Sequence, residues 1–193
     1  IYDDTNITIY SGKITAVVTT VKVELGETTP PNSSIPARIN NDIPVMQLKF
    51  TAGETGPVKI TSLTLQETGT INLQGISGYC GFTNLKLIID NDNSGDSSSG
   101  DYILSEINSF GSYYLDNASV SFDFYAEPIE IAANASKYVL LLASTNGNYD
   151  AGQTIQFAMV NPAMSYTASD SISGEPIYDD TNITIYSGKI TAV

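Results

Sequence analysis

The sequence predicts an all-β fold, an antiparallel β-sandwich of the jelly-roll or Greek-key kind. Short runs of alternating apolar and polar residues recur along the 193 residues, and stretches rich in Gly, Pro, Asn, Asp and Ser separate them. Long Ala, Leu, Glu and Lys stretches, which are typical of helices, are missing. The length suits one sandwich with a sizeable core, and an apolar content of 41% argues against disorder over most of the chain.

The strands are predicted from these runs in chain order. They are expected at residues 21–25, 45–51, 58–66, 85–90, 102–104, 120–125, 138–143 and 154–160. Turn-rich stretches at 26–34, 52–57 and 145–152 separate several of them. Pro44 and Pro57 are placed at strand starts, where a missing N–H is tolerated, and one short helical turn is expected at 104–110.

The strongest signal is a repeat that links the two ends of the chain. Residues 1–17, IYDDTNITIYSGKITAV, are identical to residues 177–193 at every position. Such identity indicates recent duplication or deliberate engineering. The predicted organisation is therefore a first copy at 1–17, a sandwich core at 18–168, a linker at 169–176 with a flexible composition, and a second copy at 177–193.

Each copy has the alternation of a strand. The Ser11-Gly12 step has two interpretations: a two-residue hairpin turn, or a bulge within one long strand that keeps both apolar pairs facing one core. The side chains expected to plug a hydrophobic groove are Ile7, Ile9, Ile14 and Ala16 in the first copy and Ile183, Ile185, Ile190 and Ala192 in the second.

Identical strands at both ends are explained if the sandwich lacks one strand. A strand donated by the next subunit supplies the missing hydrogen bonds and apolar plugs, and such head-to-tail donation builds a filament. A second copy at the C-terminus would let a chain fill its own groove. The alternatives are a tandem sheet edge without exchange, or a cloning artefact.

One chemical motif stands out, the acidic stretch DNDNSGDSSSGD at residues 90–101. Its spacing matches the start of a calcium loop, with Gly95 at the sharp turn. Unlike an EF-hand loop it ends in Asp and is flanked by predicted strands. The alternative is a solvated hairpin loop. The candidate calcium ligands are Asp90, Asp92, Ser94, Asp96 and Asp101.

The composition argues against several functional classes. A net charge of −13 disfavours nucleic acid as a partner. The sequence has no His, which excludes Ser–His and Cys–His catalysis, and no Trp to grip a sugar, so we expect no enzyme. The single cysteine, Cys80, permits no intramolecular disulfide. The longest apolar run, 138–143, is too short to span a membrane.

An extracellular or cell-surface location is expected. The chain begins at Ile1 without Met or a signal peptide, which suggests a mature or trimmed form. Asn-x-Ser/Thr sites, the acceptors of N-linked glycans, occur at Asn6, Asn32, Asn117, Asn134 and Asn182.

The repeated tail 1–17, the stretch IPVMQLKF at 43–50 and the acidic loop 90–101 together resemble archaeal extracellular filament subunits built by donor-strand complementation. These include the cannula-forming proteins of hyperthermophilic archaea and TasA-like fibre proteins. The resemblance implies a self-assembling homopolymer, a filament or a tube, in which calcium at Asp90, Asp92, Asp96 and Asp101 promotes polymerisation. The alternatives are a calcium-dependent adhesin or carbohydrate-binding module, and a domain of a cell-surface layer or stalk protein.

Overall fold

The structure, a computed structural model, describes residues 19–71, 81–108, 118–147, 149–177 and 183–193. Within these ranges the regular secondary structure consists of strands, apart from a four-residue helix α1 at Pro162–Ser165. The strands are β1 (Val21–Leu25), β2 (Ser33–Ile35), β3 (Ile39–Ala52), β4 (Val58–Glu67), β5 (Phe82–Asp90), β6 (Tyr102–Ile107), β7 (Ser119–Asp123), β8 (Ile129–Ile131), β9 (Ser136–Asn146), β10 (Thr154–Ile155), β11 (Phe157–Met159), β12 (Tyr166–Asp170), β13 (Pro176–Ile177), β14 (Ile185–Tyr186) and β15 (Ile190–Ala192).

The first sheet is antiparallel and has the order β1-β3-β9-β5-β6. Its central strand β9 pairs with β3 on one side and with β5 on the other. The run from Val139 to Ala143 in β9 is buried throughout, as expected of an interior strand covered on both faces.

The second sheet is organised around β4. Strands β7 and β8 pair with one edge of β4, and β11 and β12 pair with the other. Beyond them, β13 pairs with β12, and β14 pairs with β11. A third sheet has three strands, with β15 between β10, to which it is antiparallel, and β2, to which it is parallel. Within the segment that holds β14 and β15, β15 therefore has a neighbour on each side, whereas β14 is the last strand of the second sheet.

All three sheets contribute to one hydrophobic core. Phe50 of β3, Phe122 of β7 and Phe157 of β11 are each fully buried and belong to the same cluster. Phe82 of β5 packs edge-on against Phe157, with ring centroids 5.6 Å apart, across the two layers. The prediction of an all-β sandwich with mainly antiparallel sheets is confirmed.

Some local predictions need correction. The helical turn expected at 104–110 is wrong over the residues described, because β6 continues to Ile107 and pairs with β5. Strand β2 lies partly within a stretch predicted to be a turn. Pro44 lies inside β3 and not at its start. The register between β3 and β9 shifts next to it, between Pro44 and Met46. The predicted linker 169–176 is a tight connection, since β12 extends to Asp170 and β13 begins at Pro176.

A side-chain hydrogen bond ties the start of the described chain to this connection. The Thr19 hydroxyl donates to Asp170 Oδ2 at 2.6 Å, and the N–H groups of Ile172 and Ser173 donate to Asp170 Oδ1. These bonds, led by that of Thr19, lower the pKa of Asp170 from 3.8 to about 2. The charged carboxylate therefore stabilises the fold above about pH 4, and this contribution is lost as the pH falls towards 2.

We predict that Thr19→Val lowers the melting temperature at about pH 6 but has little effect near pH 2, where Asp170 is becoming protonated in the folded state. Thermal unfolding followed by circular dichroism at both pH values measures the difference. In an Asp170→Asn background the effect of Thr19→Val should largely vanish. An equal loss of stability at both pH values would contradict the assignment.

Candidate strand-binding groove and acidic loop

The described residues of the second repeat copy pair within their own chain: Ile177 pairs with β12, β14 with β11 in the second sheet, and β15 with β10 and β2 in the third. In β14, Tyr186 pairs with Ala158 and Ile185 with Met159. In β15, Ile190 pairs with Ile155, and further backbone bonds extend this ladder to the end of the chain. The segment 183–193 thus fills a groove in which β11 lies beside β14, and β10 and β2 lie on the two sides of β15.

The register along this segment shows which of the two predicted geometries the Ser-Gly step adopts. Residues 187, 188 and 189 lie between Tyr186 and Ile190, whereas only residues 156 and 157 lie between their partners Ala158 and Ile155. The segment therefore carries one extra residue, which is a bulge and not a hairpin turn. Because side chains alternate along a strand, the extra residue allows Ile185 and Ile190 to face the same core.

Ser187 satisfies the backbone where the bulge interrupts the ladder. Its N–H donates to the Phe157 carbonyl at 2.8 Å, and its Oγ accepts the Phe157 N–H at 3.0 Å. The Gln156 side chain donates to the Ser187 carbonyl at 3.1 Å. The hydroxyl thus takes the place of a backbone acceptor, so that a buried N–H keeps a partner.

On the other wall, β2 holds the segment through its backbone. Ser33 N–H donates to the Lys189 carbonyl, and Val193 N–H donates to the Ile35 carbonyl. The Asn32 side-chain oxygen accepts the Lys189 N–H at 2.8 Å. Among the described strands, β2 pairs with β15 alone. Prolines 30, 31 and 36 flank β2, and prolines at a sheet edge discourage the addition of a further strand.

The plugs predicted in the second copy differ in burial. Ile190 and Ala192 are each only 2% exposed and belong to the main core, and Ile185 packs against that core while partly buried. Ile183 is 73% exposed and is not a plug, because it precedes the first paired residue of β14. The plugs predicted in the first copy, Ile7, Ile9, Ile14 and Ala16, lie outside the described residues.

The acidic stretch connects β5 to β6, as the flanking strands predicted. It brings together Asp90, which is buried, Asp101, which is half-buried, and Asp92, which is exposed; one carboxylate oxygen of each lies within 4.8 Å of the others. Asp96 is outside this cluster, and its carboxylate accepts a hydrogen bond from the Ser94 hydroxyl instead. Gly95 adopts a left-handed φ of 77°, as its place at a sharp turn requires.

Backbone and hydroxyl groups of the loop neutralise part of this charge. Ser94 N–H donates to both Asp90 and Asp92, and Ser98 N–H donates to Asp101 Oδ2 at 2.8 Å. The Ser98 hydroxyl donates to Asp92 Oδ2 at 2.8 Å and is the main reason that the pKa of Asp92 is lowered. Ser94, predicted as a ligand, thus contacts the cluster through its amide.

Gln47, which the sequence analysis did not single out, joins the loop to the groove wall. It is fully buried, and its Nε2 donates to Asp90 Oδ2 at 2.7 Å and to Asn93 Oδ1 at 2.9 Å. Its side-chain oxygen accepts the Thr28 N–H, and its backbone carbonyl accepts the N–H of Gly26. The signal in the sequence that could have identified Gln47 is its position as a polar residue within the apolar run of β3.

Comparisons with known proteins give no family for the chain. No protein-family model and no curated protein matches it. Solved structures resemble it weakly. A chain of a CaDoc0917–CaCohA2 complex has a TM-score of 0.33 at 14% identity, covering 90% of this chain and 100% of that one. A family 123 glycoside hydrolase from Clostridium perfringens has a TM-score of 0.33 at 11% identity, and the match covers 90% of this chain and 27% of the hydrolase chain. BslA, a bacterial hydrophobin, has a TM-score of 0.28 at 8% identity, and the match covers 91% of this chain and 93% of the BslA chain.

No helix within the described ranges combines the length and the apolar character needed to cross a bilayer.

We predict that Ile190→Ala destabilises the fold by about 2–5 kcal/mol, because it leaves a cavity in the core. Ile183→Ala is the matched control, with the same atoms removed from an exposed position, and should change the stability by less than about 0.5 kcal/mol. Urea unfolding measures both. Equal effects of the two substitutions would contradict the placement of the second copy.

Proposed function

We propose that this chain is a structural subunit of an extracellular filament or tube, which polymerises when residues 1–17 of one subunit enter the groove of the next. The observation that carries the proposal is that the groove accepts the repeated sequence: in residues 183–193, β14 pairs with β11, and β15 pairs with both β10 and β2. Residues 1–17 have the same sequence as the copy that occupies it. A groove that binds one copy therefore offers the same contacts to the other.

The stoichiometry of the repeat supports assembly. The described residues form one groove for this segment, whereas the chain carries two copies of it. One copy is therefore surplus in every chain. If the first copy fills the groove of another subunit, the contact is heterologous and repeats from subunit to subunit, which gives an open polymer.

The second copy then acts as a cap in this proposal. Only residues 178–184 separate β13 from β14 within one chain, so the local concentration of the second copy at its own groove is high. A chain whose second copy stays bound is a closed monomer, and growth of the polymer requires that copy to leave or to be absent.

The role is structural and extracellular in this proposal. The sequence has no His, and its 21 acidic residues against 8 basic residues keep unassembled subunits soluble. Asn32 and Asn134, the glycan-acceptor sites within the described ranges, are both exposed, so that a sugar on either would extend into solvent.

In this proposal calcium binding promotes assembly. Oxygens bound to one calcium ion lie up to about 5 Å apart, since each is at roughly 2.3–2.6 Å from the ion. The carboxylate oxygens of Asp90, Asp92 and Asp101 meet this limit. An ion there would offset their mutual repulsion and stiffen the loop. Through Gln47 the loop contacts residues 26–29, which lead into β2 and the groove wall.

We predict that a chain lacking residues 183–193 polymerises through its first copy. Thr15 is the counterpart of Thr191, which lies opposite Thr154, so Thr15→Cys and Thr154→Cys in a Cys80→Ser background should form disulfides between chains. Non-reducing gel electrophoresis would show a ladder, and mass spectrometry would identify the linkage.

The register control replaces Thr15→Cys by Thr8→Cys. Position 8 is seven residues from position 15 along the bound strand, so a cysteine there would not lie opposite position 154 and should give no ladder. The full-length chain with the Thr15→Cys and Thr154→Cys pair should remain mostly monomeric, because its second copy occupies the groove. A truncated chain that stays folded and unlinked would refute the proposed function.

We further predict that calcium raises the melting temperature of the full chain and that Asp101→Asn abolishes most of this gain. An ion at about 100 times its Kd would add about 2.7 kcal/mol to the stability. Asp96→Asn removes the same charge from a residue outside the cluster and should preserve the gain. Calorimetry with calcium or with a chelator provides the measurement; an equal response of both variants would exclude this site.

A further inference from the structure

We infer that the groove recognises the Ser-Gly step of the segment that enters it, with the Pro30-Pro31 backbone selecting both the sequence and the register of the bound strand. The inference rests on the proposed function, since the partner it names is the segment 1–17 of a second copy of this chain. Gly12 of that segment is the counterpart of Gly188.

The selection is steric. A Cβ at Gly188 would lie 2.2 Å from the Pro30 carbonyl oxygen, 2.7 Å from the Pro31 carbonyl carbon and 2.9 Å from the Pro31 oxygen. All three obstacles are backbone atoms, which cannot turn aside as the end of a flexible side chain can. Proline also fixes φ, so this stretch of wall adapts poorly. Any residue other than glycine must therefore displace either the strand or the wall.

Hydrogen bonds of the preceding residues anchor the Pro30-Pro31 wall. The Thr29 hydroxyl donates to the Gln47 carbonyl at 2.9 Å, and the Thr29 N–H bonds to the Gly26 carbonyl. Gln47 itself is fully buried in β3. The residues just before the prolines are thus anchored to the first sheet, so a retreat of the wall would break these contacts.

The strand is held as firmly on both sides of Gly188. Ser187 exchanges bonds with Phe157, and the Lys189 N–H is bound by Asn32. Within 1–17 and within 177–193, the Ser-Gly step supplies the one glycine. A strand shifted by one residue in either direction would place Ser or Lys against Pro30 and would separate the serine hydroxyl from the Phe157 N–H. The step therefore fixes a single register for the whole segment.

The experiment lets the two copies compete for one groove in the full-length chain. Thr154→Cys, Thr191→Cys and Thr15→Cys are combined with Cys80→Ser, so that position 154 forms a disulfide with whichever copy lies opposite it. After oxidation at equilibrium, mass spectrometry measures the ratio of 154–15 to 154–191 linkages. Gly188→Ala should raise this ratio by roughly tenfold or more, and Gly12→Ala should lower it by a similar factor.

Ile183→Ala, a substitution in the same copy at an exposed position, should leave the ratio unchanged. Ile190→Ala weakens the second copy through its core contact, independently of the glycine. If Ile190→Ala raises the ratio but Gly188→Ala does not, the proline wall does not select the segment, and the inference fails while the proposed function stands. If no 154–15 linkage forms in any variant, the first copy does not enter the groove and both fail.

Discussion

The third sheet and its link to the second depend on one interaction, the insertion of residues 183–193 beside β11 and between β10 and β2. Among the described strands, β15 of this segment is the one that pairs with β2. The segment also contributes Ile190 and Ala192 to the common core. Its bulge at Ser187-Gly188 is what lets apolar residues before and after it face inward. Hydrogen bonding, core packing and the shape of the Pro30-Pro31 wall all converge on the same few residues, so the groove is specific as well as apolar.

Much of the sandwich could be predicted because most strands carry their own alternation. Strands β1 and β4 alternate in burial, β9 is a continuous apolar run, and local sequence suffices to find all three. Strand β2 is different, since it is short, lies among prolines and is a strand by virtue of a partner that is more than 150 residues away. In β6, Leu104 and Ile107 have helical spacing, but pairing with β5 determines the conformation.

The acidic cluster was partly predictable for the same reason. Asp90, Asp92 and Asp101 are close because a hairpin brings both ends of its loop together, which a local motif can reveal. The position of Asp96 follows from the direction of the chain after Gly95, and the part played by Gln47 follows from packing between β3 and the loop. Likewise, the meaning of Gly188 depends on Pro30, a long-range contact that spacing within the repeat does not encode.

The position of β15 between two neighbours has a mechanical consequence. Its bonds to β10 and β2 form one row on each side of the strand, so a force along the strand axis strains both rows together in shear instead of opening them one at a time. An edge strand bound on one side would lack the second row of bonds. In a polymer of the proposed kind every joint would be such a doubly flanked strand, and the fibre would resist tension through the same ladder that closes the monomer.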